Sequence, residues 1–441
     1  MARLSFRGAH PAARKGNTRR KPLSELDHAP ERVYLPLDMC AAAPSVPVVR
    51  PGDRVLVGQL IARAEAEDAV AIHSSVSGRV ADIREHPHPW GGASLAIVIE
   101  NDGKNTPLPD CPEPIDPTHL VPQTLIERVR DAGIVGMGGD AQPTHRKLAL
   151  AMGRVDTLIV NAAECEPYVT ADQRLLMDRG DMVLQGALLL GQVLRARRVV
   201  LAAEGDQLSV VERLERVLRK KKSSVELRTL RTRYPLGAEK QLVQAITGRE
   251  VPPGGTPIDV NCVVLNVATV YAIGEALFLG RPLTHRAVTV GGGAVTRPRN
   301  LWVPLGTPLR ALLREADGEK VPISLALTGG PMMGVAQEDL DAPVVKDTNA
   351  LLCLTEEERS PGGEESVCVR CGHCAAACPM RLVPALICRA IRREQLDRLP
   401  DLYPGDCLEC GCCTYVCPSR IPLLDLMRQA KGIVQRGGEG E

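Results

Sequence analysis

Near the C-terminus one cysteine pattern is written twice. Cys368, Cys371, Cys374 and Cys378 are followed by Pro379, and Cys407, Cys410, Cys413 and Cys417 by Pro418. Both arrays read C-x2-C-x2-C-x3-C-P. Three thiolates spaced in this way wrap three corners of an iron–sulfur cube, and the proline after the fourth ends the turn. Structural zinc takes four ligands, typically as two close pairs, and disulfide frameworks belong to small secreted chains. Two identical quartets with trailing prolines fit neither. The pattern points to two [4Fe–4S] clusters, and so to electron transfer.

The arrays resemble those of bacterial two-cluster ferredoxins, in which the fourth cysteine serves the other cluster. That resemblance implies one ligand set of Cys368, Cys371, Cys374 and Cys417, and another of Cys407, Cys410, Cys413 and Cys378. The remaining cysteines are Cys40, Cys111, Cys165, Cys262, Cys353, Cys388 and Cys412. Most read as small buried hydrophobes. Cys412 lies inside the second array but off its spacing, and reads as a bystander.

At 441 residues the chain exceeds one core, and a prior of roughly 150 residues per domain suggests about three domains. A net charge of +1 and 2% aromatic residues give no sign of a nucleic-acid surface. The N-terminal arm, residues 1–32, carries Arg14, Lys15, Arg19, Arg20 and Lys21. It reads as a solvated tail, with docking on an acidic partner or anionic lipid as the alternative. Thiolate ligands call for a reducing compartment, no apolar leader opens the sequence, and the uncharged run Met182 to Leu194 is short of the ~20 residues of a membrane helix. The expectation is a cytoplasmic chain, soluble or peripheral.

The chain alternates in character along its length, and the expected class is multidomain α/β. Residues 33–104 read as β-rich, with Pro-Gly-Asp and Val-Gly-Gln turns between short apolar runs. They resemble the half-motifs of biotinyl/lipoyl hammerheads, a barrel-sandwich hybrid; without the modified lysine a structural or docking role is expected. A Pro-rich linker spans 105–119. From 120 to 285 helical and apolar strand patterns alternate, as in a layered α/β domain with a parallel sheet. Residues 286–340 suit a β-grasp module of the SLBB kind, 341–365 form a connector containing ERSPGGEES, and 366–435 hold the two-cluster, α-helical ferredoxin-like domain.

A second chemical signal is GIVGMGGDAQPTHRKL, Gly133 to Leu148, between a predicted helix and the strand DTLIVN. Gly136, Gly138 and Gly139 let the backbone approach a phosphate, and Lys147 adds a cation beside exposed N–H groups. It is neither a P-loop nor a dinucleotide fingerprint. Asn161, Glu164 and Glu166 follow in NAAECEPY, Gly237 and Glu239 in YPLGAEKQL, and Asn266 in VVLNVATVY.

Together with FRGAHP, TGREVP, TGGPMMG and the cysteine arrays, these strings resemble the RnfC subunit of the Rnf electron-transport complex, in the same order over nearly the whole chain. The flavin core is also similar to the flavoprotein subunit of respiratory complex I. The resemblance implies a non-covalent FMN. Gly136, Gly138, Gly139 and Lys147 would hold phosphate and ribityl, Asn161, Gly237, Glu239 and Asn266 would line the isoalloxazine and ribityl, and Glu164 and Glu166 would lie on the nucleotide side. It implies NADH as substrate, electrons passing through FMN and two [4Fe–4S] clusters, the other subunits of a membrane-bound complex as partners with ferredoxin indirectly, and a place on the inner face of the membrane. No catalytic acid–base residue is expected, since the cofactors carry the chemistry. The rivals are a soluble flavin/iron–sulfur reductase, like those of corrinoid or proline reduction, and a non-catalytic iron–sulfur wire.

Some positions depart from the family pattern. Asp140 and Gln142 replace an alanine and an aromatic, which removes a stacking face for the dinucleotide. Asp140 would oppose a phosphate unless it pairs with Arg146. Ala238 and Asn261 stand where small glycines are common, and Asn261 is expected to crowd the flavin.

Overall fold

The computed structural model describes residues 7–109, 112–116, 120–205, 208–221, 223–359 and 364–438. Phe6 of FRGAHP, Cys111 and part of the ERSPGGEES run fall outside them.

The β-rich N-terminal unit is two small sheets. One runs in the order Arg32–Pro36, Ala93–Asn101, Gly78–Pro87, Arg54–Val55, and the other Val46–Pro47, Leu60–Arg63, Ile72–His73. Val33, Leu35, Ile61, Ile72, Ile97 and Ile99 fill the space between them, each strand turning its apolar residues inward at the period of two that a pleat imposes.

The next unit is a parallel sheet ordered Glu226–Leu230, Arg198–Glu204, Thr157–Ala162, Cys262–Asn266. Thr157–Ala162 is central and almost wholly buried, as a strand covered on both faces must be. Helices Ala171–Val193 and Val267–Phe278 pack on one another and on the sheet. The carboxyl ends of Thr157–Ala162 and Cys262–Asn266 lie side by side, the edge at which open α/β sheets bind ligands.

A six-stranded sheet follows, ordered Leu23–Glu25, Arg299–Pro304, His285–Gly291, Ala350–Leu354, Leu325–Thr328, Val335–Ala336. It reaches beyond 286–340, taking its first strand from the N-terminal arm and its fourth from the connector. The solvated-tail reading of that arm is therefore corrected. Lys15 and Thr18 are buried, the Lys15 ammonium donates to the Glu164 carbonyl, and Lys21 Nζ donates to the Pro298 carbonyl at 2.7 Å. Charge density alone suggested solvent, but single residues of the arm, Lys15 and Thr18 among them, are buried against the rest of the chain.

The C-terminal domain is built on helices His373–Ala377, Pro384–Arg392, Cys412–Tyr415 and Leu423–Gly438. Its two halves repeat at the level of the backbone. Arg370 and Gly372 take left-handed conformations in the first array, and Glu409 and Gly411 do so at the same places in the second. Among the described residues all cysteines are free, and no helix is long and apolar enough to cross a membrane.

A buried cation ties three of these units together. Lys346 is 1% exposed, and its Nζ donates to Ala71 O at 2.8 Å and Gly133 O at 2.7 Å. Burial pushes its ammonium down from 10.5 to about 7. The folded chain therefore binds fewer protons than the unfolded one between pH ~7 and 10.5, so stability rises with pH across that window, by at most ~1.4 kcal/mol per unit. Thermal unfolding of wild type and Lys346→Met at pH 7 and 9.5 tests this. The wild type should gain relative to the variant at the higher pH, and a pH-independent gap would contradict the assignment.

Candidate functional site

The Gly-rich loop closes on itself: Gly136 N donates to Gln142 O at 2.7 Å and Ala141 N to Gly136 O at 3.0 Å. Gly136 must lack a side chain, because the Asp140 carboxylate lies where its Cβ would be. Gly237 has the same need, since a Cβ there would stand 2.7 Å from Ala163 O. The helix Thr144–Ala151 then carries Lys147 to the carboxyl edge of the sheet.

A cavity of about 260 Å³ lies at that edge. It is lined by Gly136, Gly138, Lys147, Asn161, Glu164, Glu166, Gly237, Glu239 and Asn266, which brings together all the residues singled out in the sequence except Gly139. Gly139 lines an adjoining cavity of about 470 Å³, which shares Gly138 and Asp140 with the first.

The side chains are fixed by their neighbours. Lys147 Nζ lies 2.5 Å from Glu239 Oε1 and 3.9 Å from Asp140 Oδ2. Burial alone would lower its pKa, but the two carboxylates outweigh it and hold the ammonium above its ordinary value. Asn161 Nδ2 donates to Gly237 O at 2.9 Å and its Oδ1 accepts from Ala163 N at 3.0 Å. Asn266 caps the helix Val267–Phe278 through Ala268 N at 2.8 Å and donates to Asp172 Oδ2 at 2.6 Å. Glu164 is turned toward helix Ala171–Val193, accepting from Asp172 N at 2.9 Å and Gln173 N at 3.3 Å. Glu166 Oε2 accepts from Met332 N at 3.1 Å, in the TGGPMMG loop. Burial pushes the Glu164 and Glu166 carboxyls up to about 7 and raises that of Asp172.

Three buried polar atoms of the lining, Glu166 Oε1, Asp172 Oδ1 and Thr144 Oγ1, have no hydrogen-bond partner among the described residues. They leave two acceptors and a hydroxyl for a polyhydroxylated ligand, while Lys147 and the glycine backbone suit its phosphate. The residues present thus fit an FMN.

The structure also corrects the departures. Arg146 pairs with Asp68, not with Asp140; Asp140 folds over Gly136 toward Lys147. Asn261 is remote from the cavity. It ends the turn Pro257–Val260 in a left-handed conformation and donates from Nδ2 to Arg154 O at 3.2 Å, at the opposite end of its strand. Sequence reading missed Asp172, Tyr234, Thr269 and Asn349, which also line the cavity. Asp172 lies in the first turn of the helix Ala171–Val193, where an acid is common for its effect on the helix end.

A further, small cavity is lined by Cys378, Cys407, Cys410 and Cys413, the second ligand set that the ferredoxin resemblance implies, and also by Cys412. Its walls include Leu408, Met427 and Leu424. In the other set, Cys374 and Cys417 are half-buried while Cys368 and Cys371 are exposed. The cysteines of the second implied set thus lie deeper than those of the first. Cys412 is fully buried, with its Sγ 4.0 Å from Tyr234 O.

The flavin-sized cavity and the deep cysteine cavity share Leu408 and Cys410, and the Tyr234 hydroxyl between them donates to Cys410 O at 2.7 Å. Such a fold defines an FMN-domain electron-transfer protein: residues 129–275 match the family described as Nuo51 FMN-binding domain, 4–104 the RnfC barrel sandwich hybrid domain, and 287–336 the SLBB domain. The chain is 41% identical over 385 residues to the C-subunit of the proton-translocating ferredoxin:NAD(+) oxidoreductase complex of Clostridium ljungdahlii, spanning 87% of this chain and 83% of that one. It is 37% identical over 392 residues to the C-subunit of the Na(+)-translocating ferredoxin:NAD(+) oxidoreductase complex of Acetobacterium woodii, spanning 89% and 88%. Against the C-subunit of the ion-translocating oxidoreductase complex of Klebsiella pneumoniae it is 39% identical over 426 residues, 96% of this chain but 56% of that longer one. The chain belongs to the RnfC family of Rnf-type complexes. In fold it is also similar to a chain of an NAD+-reducing [NiFe]-hydrogenase, with a TM-score of 0.51 at 18% identity, covering 71% of this chain and 63% of that one.

Proposed function

We propose that this chain is the NADH-oxidising peripheral subunit of an Rnf-type ion-translocating NADH:ferredoxin oxidoreductase, held on the cytoplasmic face of the membrane by its partner subunits. Electrons pass between NADH, FMN and two [4Fe–4S] clusters. The carrying observation is the wall of Leu408 and Cys410 common to the flavin-sized cavity and the deep cysteine cavity. Bound FMN supplies the exchange between two-electron and one-electron transfer. The chain's own residues do the rest. Asn161 and Asn266 lock the strand ends that form the floor, Lys147 presents a cation, and Tyr234 holds the Cys410 backbone against the cavity. The superficial set with Cys368 and Cys371 gives electrons an exit at the surface.

A cavity of about 620 Å³ beside the first supports the dinucleotide reading. It is lined by Gln142, Arg146, Leu150 and Lys240, and shares Asp140, Lys147 and Glu239 with its neighbour. Its cations suit a diphosphate, and Gln142 stands where a ring would stack. A ring face contributes ~0.5–1.5 kcal/mol beyond burial, which is several-fold in affinity at ~1.4 kcal/mol per tenfold. Anaerobic protein with iron, sulfide and flavin quantified should show a flavin band that NADH bleaches with weak apparent affinity, and Gln142→Phe should tighten it several-fold. Fully bound flavin that NADH never reduces, in either protein, would transfer the role to another donor.

A further inference from the structure

The N-terminal arm reaches the cavity from beneath. Its path is pinned along its length: Ala9 N donates to Tyr234 O at 2.9 Å, Tyr168 N to Ala13 O at 2.9 Å, and the Thr170 hydroxyl to Thr18 Oγ1 at 2.9 Å. Between these points Arg14 adopts a left-handed backbone, and the next residue, Lys15, turns inward to a 4% exposed position where its ammonium donates to the Glu164 carbonyl. A lysine is seldom buried so deeply without an electrostatic reason.

The reason is the lining of the cavity. Glu164, Glu166 and Asp172 are all withdrawn from water there. Against them, besides Lys147 in the lining, stand two buried cations. Arg286 comes from the β-grasp side, donating to Met137 O at 2.7 Å and to Lys346 O. Lys15 comes from the arm, and its field draws all three carboxyls back toward ionisation. A site that must take an anionic phosphate ligand and then two more electrons has little tolerance for uncompensated negative charge, because interior Coulomb interactions are weakly screened.

We propose that Lys15 is a positioning residue of the flavin site, a cation delivered by the N-terminal arm that holds the Glu164 segment and offsets the buried carboxyls so that reduced flavin is stabilised. The inference rests on the flavin reading above. It assigns the arm a role in setting the flavin potential, which a merely structural strap would lack.

The test uses the full chain, purified anaerobically, with FMN as the probe. Lys15→Gln keeps a donor but loses the charge, Lys15→Arg keeps the charge, and Lys15→Met loses both. Spectroelectrochemistry gives the flavin midpoint potential, and FMN fluorescence gives the affinity. In Lys15→Gln and Lys15→Met the ratio of reduced to oxidised flavin at a fixed potential should fall about tenfold, a shift of about 30 mV to lower potential for a two-electron couple. Lys15→Arg should stay near wild type. If Lys15→Gln matches wild type in potential, the charge plays no part and the inference is overturned, whatever Lys15→Met does to folding. Wild-type protein that takes up no FMN would instead bring down the flavin reading, and this inference with it.

Discussion

Cys410→Ser should lower iron from about eight to about four atoms per chain or fewer. Cys410 lies 8% exposed beside Cys378, Cys407 and Cys413, a buried position that water reaches poorly. Loss of the deep cluster also removes the group nearest the flavin-sized cavity. NADH-dependent reduction of the remaining cluster should then stop, even if flavin still bleaches. Cys371→Ser acts on the superficial set and should spare the deep cluster's spectrum at first, then destabilise it through the shared cross-ligation. Cys412→Ser is the control, with iron content unchanged. Full iron in Cys410→Ser, or iron loss in Cys412→Ser, would overturn the ligand assignment.

The second large effect is expected at Lys147. Lys147→Ala deletes a cation that meets Glu239 and Asp140 together and leaves two carboxylates facing the place proposed for a phosphate. A charge-assisted hydrogen bond is about twice as strong as a neutral one. Its loss, with repulsion added, should weaken FMN about 100-fold, or ~2.8 kcal/mol at 1.4 kcal/mol per tenfold. Titration of flavin-depleted protein with FMN measures it. Added salt should partly restore binding by screening these two carboxylates, since the Asp140 and Glu239 side chains are 46% and 34% exposed. A Lys147→Ala protein that copurifies with stoichiometric flavin would contradict the phosphate assignment.

The sequence is most legible where chemistry forces local patterns. Ligand spacing in the arrays and glycine placement in the loop are dictated over a few residues, and the structure gathers Cys378, Cys407, Cys410 and Cys413 round one cavity and Gly136 and Gly138 round another. It faltered where the deciding contact is distant. Lys15 looks like any basic residue of a tail until the Glu164 carbonyl, 149 positions away, is known to receive it. Tyr234 reads as a turn aromatic, and its bond to Cys410 spans 176 positions. Asn261 erred the other way. It stands just before the strand that ends in Asn266, at the end away from the carboxyl edge, and a strand's two ends are separated by its whole length.

Leu23–Glu25 lies parallel to residues 300–302, and the same sheet needs Ala350–Leu354 beside His285–Gly291. During synthesis the arm therefore emerges well before its partner and has no strand to join until more than 270 further residues have followed. Pairings of such sequence separation are slow, because loop closure is paid before the contacts form. The waiting segment must remain unpaired while the hammerhead-like sheets beside it assemble, a period when a free strand is open to wrong partners. Lys15 lies within that same late segment. The cavity would gain its second cation only when the last large sheet closes, which places assembly of a finished flavin site at the end of folding rather than at the completion of the domain that houses it.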